Sequence, residues 1–321
     1  MLRERLTSAA FGVGWTLVCR VPEPCARAAF VLGADVVWRR RGHGVQVLEG
    51  NLRRVIGTDA GDGDLHKLSR KVMRSYARYY LETFRLHVIP RERLLGSGLH
   101  LEGAENLERS LECLKNGRGV IYALPHMGNV EQAGAWVIAH GAGSFTTVAE
   151  RLALEPVYER WLKFRQGLGF EVVPTTGGRR PFGVLAQRLR AGNLVCMLAD
   201  RDLSDTGVEV DFFGEKALMA AGSAVLAVRT GAALFPASCW FVGDTGWGIC
   251  VHDEIPMPEQ GRPREKVAGM MQQLAAVFEQ AIKEHPQDWH MLQRVFVADL
   301  DPERLRSTRN GTANANLATP R

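Results

Sequence analysis

The sequence predicts a single α/β domain with a largely parallel central sheet covered by helices, preceded by N-terminal membrane-associating helices. Three observations predict it. Between residues 119 and 241, short apolar runs alternate with segments of helical periodicity, and parallel strands need the crossover connections that helices supply. The chain has 321 residues, 46% hydrophobic and 23% charged, without a long polar tract, so a sizeable core is available. Ahead of the alternating region lie two apolar segments with arginines at their ends.

Residues 1–45 hold those segments and are expected to form an interfacial unit. Leu2, Leu6, Ala9, Val13, Leu17 and Val21 recur at helical spacing, Phe11, Trp15 and Val18 widen the stripe, and Arg3, Arg5 and Arg20 flank it. The uncharged run from Leu6 to Cys19 is shorter than the roughly 20 apolar residues that span a bilayer. No small-residue cleavage site follows it, so a secretory leader is not expected. The second segment, "CARAAFVLGADVVWRRRG", ends in three arginines beside Trp38. A ring at headgroup depth with cations against lipid phosphates is what interfacial anchoring requires.

A catalytic domain is expected over 46–301. "GVQVLEGNLRRVIG" reads as a helix ended by Gly57, residues 58–64 as a polar turn, and 65–86 as an amphipathic helix. Strand 119–124, a helix from Val130, strand 144–149, helix 155–169, strand 170–174, helix 181–192 and strand 194–200 follow. "GVEVDFFG" (207–214) is expected as a strand, 220–231 as a helix and 233–241 as a strand. The polar tail 302–321 is expected to be disordered.

The net charge is +5 and the pI about 9.0, and only seven of the 40 basic residues are lysine. Arginine suits bidentate contact with phosphate, although a high-GC genome produces the same excess. Six cysteines with no CxxC and no metal spacing point to a reducing compartment and no metal site.

The stretch "VIYALPHMGNVEQAGAWV" (120–137) carries the most chemistry. Asn129 and Gln132 fit the N-cap and N3 positions of a helix beginning at Val130. His126 then lies in a loop just past a strand, and Glu131 in the first helical turn. With the loop between them, the imidazole is expected to fold back onto the Glu131 carboxylate. The pair would act as a general base, at the strand ends where open α/β sheets bind ligands. A lone loop histidine is more often a surface or capping residue, so the reading needs support. Glu150 and Arg151 directly after one strand, Arg165 on the next helix, and Asp200, Arg201 and Asp202 directly after another strand supply it. Phe212 and Phe213 fit either an apolar slot or simple core packing. A G-x-S-x-G elbow, a P-loop and a G-x-G-x-x-G after a strand are all missing. A base that deprotonates an alcohol for direct attack on an acyl donor fits better than a covalent or metal mechanism.

"PHMGNVE" contains a His-x4-acidic motif and resembles the glycerolipid acyltransferase superfamily, with Glu131 in place of the commoner aspartate. The chain from about residue 5 to 300 is similar to the branch that holds the lipid A lauroyl and myristoyl acyltransferases. The segments carrying the likeness are 75–86, 150–174, 199–227 and 285–296. "HPQDWHMLQRVF" and "TTVAER" most resemble the actinobacterial phosphatidylinositol mannoside acyltransferases.

The resemblance implies transfer of a long acyl chain from acyl-CoA to a mannose hydroxyl of phosphatidylinositol mannoside, with no cofactor and no covalent acyl-enzyme. His126 would take the hydroxyl proton and Glu131 would orient it. Glu150, Arg165 and the Asp200-Arg201 pair would line the groove, and Arg151, Arg165 and Arg201 would meet phosphates or a developing oxyanion. Ala133, Gly134 and Ala135 would open an acyl tunnel. The resemblance also implies peripheral attachment at the cytoplasmic face of the cell membrane, with an anionic lipid surface and not nucleic acid as partner. Two other readings stay open: a lipid A-type enzyme using acyl carrier protein, and a non-catalytic lipid-binding protein of the same fold.

Overall fold

The computed structural model describes residues 2–57, 59–89, 96, 98–151, 154–175, 181–202 and 207–301, with side chains from residue 11 onward. The tail 302–321 and the side chains of Leu2, Leu6 and Ala9 lie outside the described residues.

Seven strands form the central sheet: β1 (Leu99–Glu102), β2 (Val120–Leu124), β3 (Phe145–Ala149), β4 (Phe170–Pro174), β5 (Leu194–Leu198), β8 (Ala233–Val242) and β9 (Gly246–Val251). Their order is β1-β9-β8-β2-β5-β3-β4, parallel everywhere except at the β8–β9 pair. The α/β class with a largely parallel sheet therefore holds. Central β2 is buried along its whole length, as a strand covered on both faces must be. Alternation along it sends Val120, Tyr122 and Leu124 into one core and Ile121 and Ala123 into the other.

On the Tyr122 face, helices α5 (Ala104–Lys115) and α6 (Val130–Val137) contribute Leu107, Ala133, Trp136 and Val137. The opposite core is larger. It is filled by α3 (His43–Ile56), α4 (Asp62–Arg85), α8 (Pro181–Arg190), α9 (Gly222–Thr230) and α10 (Pro263–Glu284). Helix α4 begins inside the stretch expected as a polar turn, because Asp62 and Asp64 in its first turn favour the helix N-terminus.

"GVEVDFFG" does form a strand, β6 (Val208–Phe212), but outside the main sheet. It makes an antiparallel hairpin with β7 (Glu215–Met219). The two-residue turn places Phe213 and Gly214 at φ 49° and 77°, the geometry that matches strand twist in tight hairpins. Phe212 is fully buried against Phe296 and Trp289, so core packing accounts for it.

Helices α1 (Leu2–Arg20) and α2 (Glu23–Arg39) lie against α4. Asp35 of α2 accepts paired hydrogen bonds from both Arg70 and Arg74 of α4, 2.5–3.0 Å long. Two residues expected on the interfacial stripe face inward instead. Trp15 is buried among Phe84, Trp161 and Phe164, with its indole N–H on the Phe84 carbonyl. Trp38 donates to Ser69 Oγ. The outward residues are Val13, Leu17, Leu32, Val36 and Val37. No helix among the described residues is long and apolar enough to cross a membrane.

Candidate active site

Strands β2 and β5 run parallel with Leu124 opposite Leu198, and neighbouring strands lie about 4.8 Å apart. Two residues beyond each end come His126 and Asp200, at the same height by register. His126 Nδ1 lies 2.5 Å from Asp200 Oδ1, and the His126 amide donates to Oδ2 at 2.9 Å. Asp200 is completely buried, whereas the imidazole is 24% exposed on the wall of a cavity.

Burial pushes the Asp200 carboxyl up, but the charge and ring hydrogen bond of His126, the Trp289 indole and the His126 amide outweigh it and hold it low. The ionised carboxylate thus keeps the proton on Nδ1. Nε2 is left as the basic nitrogen, engaged by none of the described residues.

The loop between β2 and α6 is built to present this ring. Gly128 has φ 57°, and a Cβ there would lie 2.5 Å from the Cys239 backbone, so only glycine fits. Asn129 caps α6 by accepting the Gln132 amide at 3.1 Å, as the sequence indicates.

The carboxylate that meets His126 is therefore Asp200, and the expected contact with Glu131 is replaced. Glu131, 2% exposed in the first turn of α6, is gripped by Arg165 from α7 (Glu155–Gly167). The guanidinium Nε lies 3.1 Å from both carboxylate oxygens, with a second bond from its terminal nitrogen. A fork of donors that fits a carboxylate in two places is a stronger competitor for Glu131 than one imidazole N–H. His126, Glu131 and Arg165 nevertheless line the same cavity, whereas Asp200, expected in the groove wall, is fully buried and does not.

That cavity has a volume of about 1370 Å³ and wraps the C-terminal edge of the sheet. On the α5–α6 side its wall includes Tyr122, Trp136, Phe145, Phe170, Ile249 and Val251; on the other, Phe182, Val225, Val228 and Val267. Gly134 sits where an added Cβ would come within 2.9 Å of the Phe145 and Phe170 rings. Ala133 and Gly134 line the cavity as expected, but Ala135 does not.

Glu150, Arg165 and Arg201 also line it. Among the described residues nothing pairs with the Arg201 guanidinium. Arg151 is not in the wall: it is exposed and forms an i,i+4 ion pair with Glu155. Asp202 joins the lining from the same strand end as Arg201, and Arg229 and Arg264, which sequence reasoning missed, join it from two helices. Sequence reasoning also missed Trp289, which touches Asp200 from 89 residues away. Among the described residues, no group of three His, Cys, Asp or Glu could hold a metal ion.

The arrangement can take a proton from an alcohol at Nε2 and stabilise the resulting imidazolium through Asp200. The apolar arm beside it can receive a long aliphatic chain.

The model of the family "bacterial lipid A biosynthesis acyltransferase" matches residues 1–297. Similar relatives include a phosphatidylinositol mannoside acyltransferase of Mycolicibacterium smegmatis, 44% identical over 304 residues, which cover 94% of this chain and 95% of the relative. Another, from Mycobacterium tuberculosis and of the same name, is 44% identical over 313 residues, covering 95% and 93% of the two chains.

Proposed function

This chain belongs to the bacterial lipid A biosynthesis acyltransferase family, and from that premise we propose that it moves a long acyl chain from acyl-CoA to a mannose hydroxyl of a phosphatidylinositol mannoside. The acceptor is supported by the names of relatives 44% identical over nearly the whole chain. The observation that carries the chemistry is the Asp200-held imidazole of His126 on the wall of a large, mostly apolar cavity.

In this reading the fatty chain lies in the arm between α6 and the sheet. The acceptor hydroxyl gives its proton to His126 Nε2 as its oxygen attacks the thioester carbonyl. The tetrahedral oxyanion collapses, the C–S bond breaks, and the departing thiolate recovers the proton from the imidazolium. Asp200 stays ionised throughout and offsets the imidazolium charge. Arg201, with no competing ion pair among the described residues, is positioned for a phosphate or for the developing oxyanion. Glu131 and Arg165 together form a rigid polar wall for the acceptor.

The test uses purified protein, palmitoyl-CoA and phosphatidylinositol mannoside, with products read by mass spectrometry. A monoacylated increment on the glycolipid is expected. Acylation of a lipid A precursor instead, or transfer only from acyl carrier protein, would replace this reading with the lipid A-type enzyme. No transfer to either acceptor would leave a lipid-binding protein.

The same reading places the enzyme on the cytoplasmic face of the membrane without crossing it. Support comes from the exposed Val13 and Leu17 on α1 and from the exposed Leu32, Val36 and Val37 on α2, the last three close in sequence to Arg39 and Arg40. Apolar side chains that enter the headgroup region each contribute roughly 1.5–3 kcal/mol when fully buried. Combining Leu17→Asp with Leu32→Asp should therefore weaken binding to anionic phospholipid vesicles at least about tenfold in sedimentation assays. Undiminished binding would move the docking surface elsewhere.

A further inference from the structure

The catalytic loop is clamped from outside by a segment far along the chain, "DWH" at 288–290. The Gly128 amide donates to the Asp288 carbonyl at 3.0 Å and the His290 amide to the His126 carbonyl at 2.8 Å. Between them, Met127 and Trp289 form an antiparallel bridge. The segment is itself anchored. Asp288 accepts Ser75 Oγ and the Phe241 amide, and His290 Nε2 meets Ser75 Oγ at 2.8 Å.

One side chain of this strap reaches past the loop to the carboxylate behind the base. Trp289 is fully buried, edge-on to Phe212 and tilted against Phe213 at the hairpin tip, and its indole N–H donates to Asp200 Oδ2 at 2.9 Å. With the His126 amide on the same oxygen, Oδ2 has two donors, which leaves Oδ1 to receive Nδ1–H. A carboxylate free to rotate would share its oxygens among these donors; one pinned at Oδ2 cannot.

We propose that Trp289 is a positioning residue for acyl transfer: its indole N–H fixes the rotation of Asp200 so that Oδ1 is aimed at His126 Nδ1. This rests on the reading of His126 as the base.

Removing the N–H leaves Asp200 with one donor fewer on Oδ2, hence a more basic carboxylate that favours the protonated imidazole. Other charged groups share the cavity with His126: the mutually paired Glu131 and Arg165, and Glu150, Arg201, Asp202, Glu209, Arg229 and Arg264. His290, pulled down to about 3 by burial with His126 adding to the effect, stays neutral on the strap.

Trp289→Phe should lower kcat roughly tenfold, as loss of a hydrogen bond to a charged group does. It should leave the KM for palmitoyl-CoA within about twofold and move the acid limb of the kcat–pH profile upward by about half a unit or more. Benzothienylalanine installed at position 289, which keeps the bicyclic shape and lacks only the N–H, should reproduce both changes even if phenylalanine disturbs the packing. Combined with Asp200→Asn, the effects on kcat should be much less than multiplicative, since both act through one carboxylate. An unmoved acid limb in the benzothienyl protein, or effects that multiply, would overturn the proposal. Absence of transfer by the wild-type enzyme would instead overturn the reading of the base itself.

Discussion

Replacing His126 by alanine should lower acyl transfer by about 10²- to 10⁴-fold, the usual cost of losing a general base. The protein should still fold. The imidazole is 24% exposed and its ring makes one hydrogen bond, to Asp200, so its removal opens no void in either core. The backbone of residues 126–128 keeps its bonds to the strap. Circular dichroism and thermal melting establish integrity, and initial rates with palmitoyl-CoA and the mannosylated acceptor establish the loss. A deficit of only a few-fold in a well-folded variant would mean that another group takes the proton.

Asp200→Asn should be nearly as damaging, on the order of 10²- to 10⁴-fold in kcat, by the logic of a carboxylate that holds a catalytic imidazole in one tautomer. The buried carboxylate accepts from three donors: His126 Nδ1, the His126 amide and the Trp289 indole. An amide offers one acceptor and one donor. If its oxygen meets Nδ1–H, its NH₂ faces two N–H groups; turned over, it donates to Nδ1 and forces the proton onto Nε2, where the acceptor's proton must go. The first orientation costs the unpaired N–H groups roughly 1–3 kcal/mol each; the second satisfies every donor but holds the imidazole in the tautomer that cannot take the proton. Glu131→Gln provides the contrast. Glutamine still accepts from Arg165, so activity should fall less than in Asp200→Asn, with the larger effect on KM for the acceptor. Were Glu131→Gln the more damaging for kcat, the roles of the two carboxylates would be reversed.

Much of this was legible locally. The run "VIYAL" ending at Pro125, and Asn129 three residues before Gln132, mark strand, loop and helix within one residue of their boundaries. The alternation from 119 to 241 is sufficient for the fold class because the central strands β2 and β8, buried on both faces over most of their length, are compact apolar runs. Four-residue β1, "LHLE", is too short and too polar to stand out, and α10, which fills the larger core, lies beyond the alternating region.

The site residues were legible as charges at strand ends, but their partners were not. Glu131 is five residues from His126 and Asp200 is 74 away. Proximity in sequence favours the first, and the sheet order, which places β5 rather than β3 beside β2, favours the second. Side-chain competition was equally invisible: Arg165 belongs to Glu131, and Arg151 is occupied by Glu155. Trp15 and Trp38 share that lesson, since periodicity identifies an apolar stripe without saying which side of it meets protein.

The pairing of β2 with β5 has a mechanical meaning. The rungs that hold these two strands in step also set the His126 imidazole level with the Asp200 carboxylate. Stiffness of the sheet is thus stiffness of the chemistry, and little reorganisation remains to be done when a proton arrives. A slip of one residue along that ladder would leave a folded-looking sheet whose histidine and aspartate point to opposite faces.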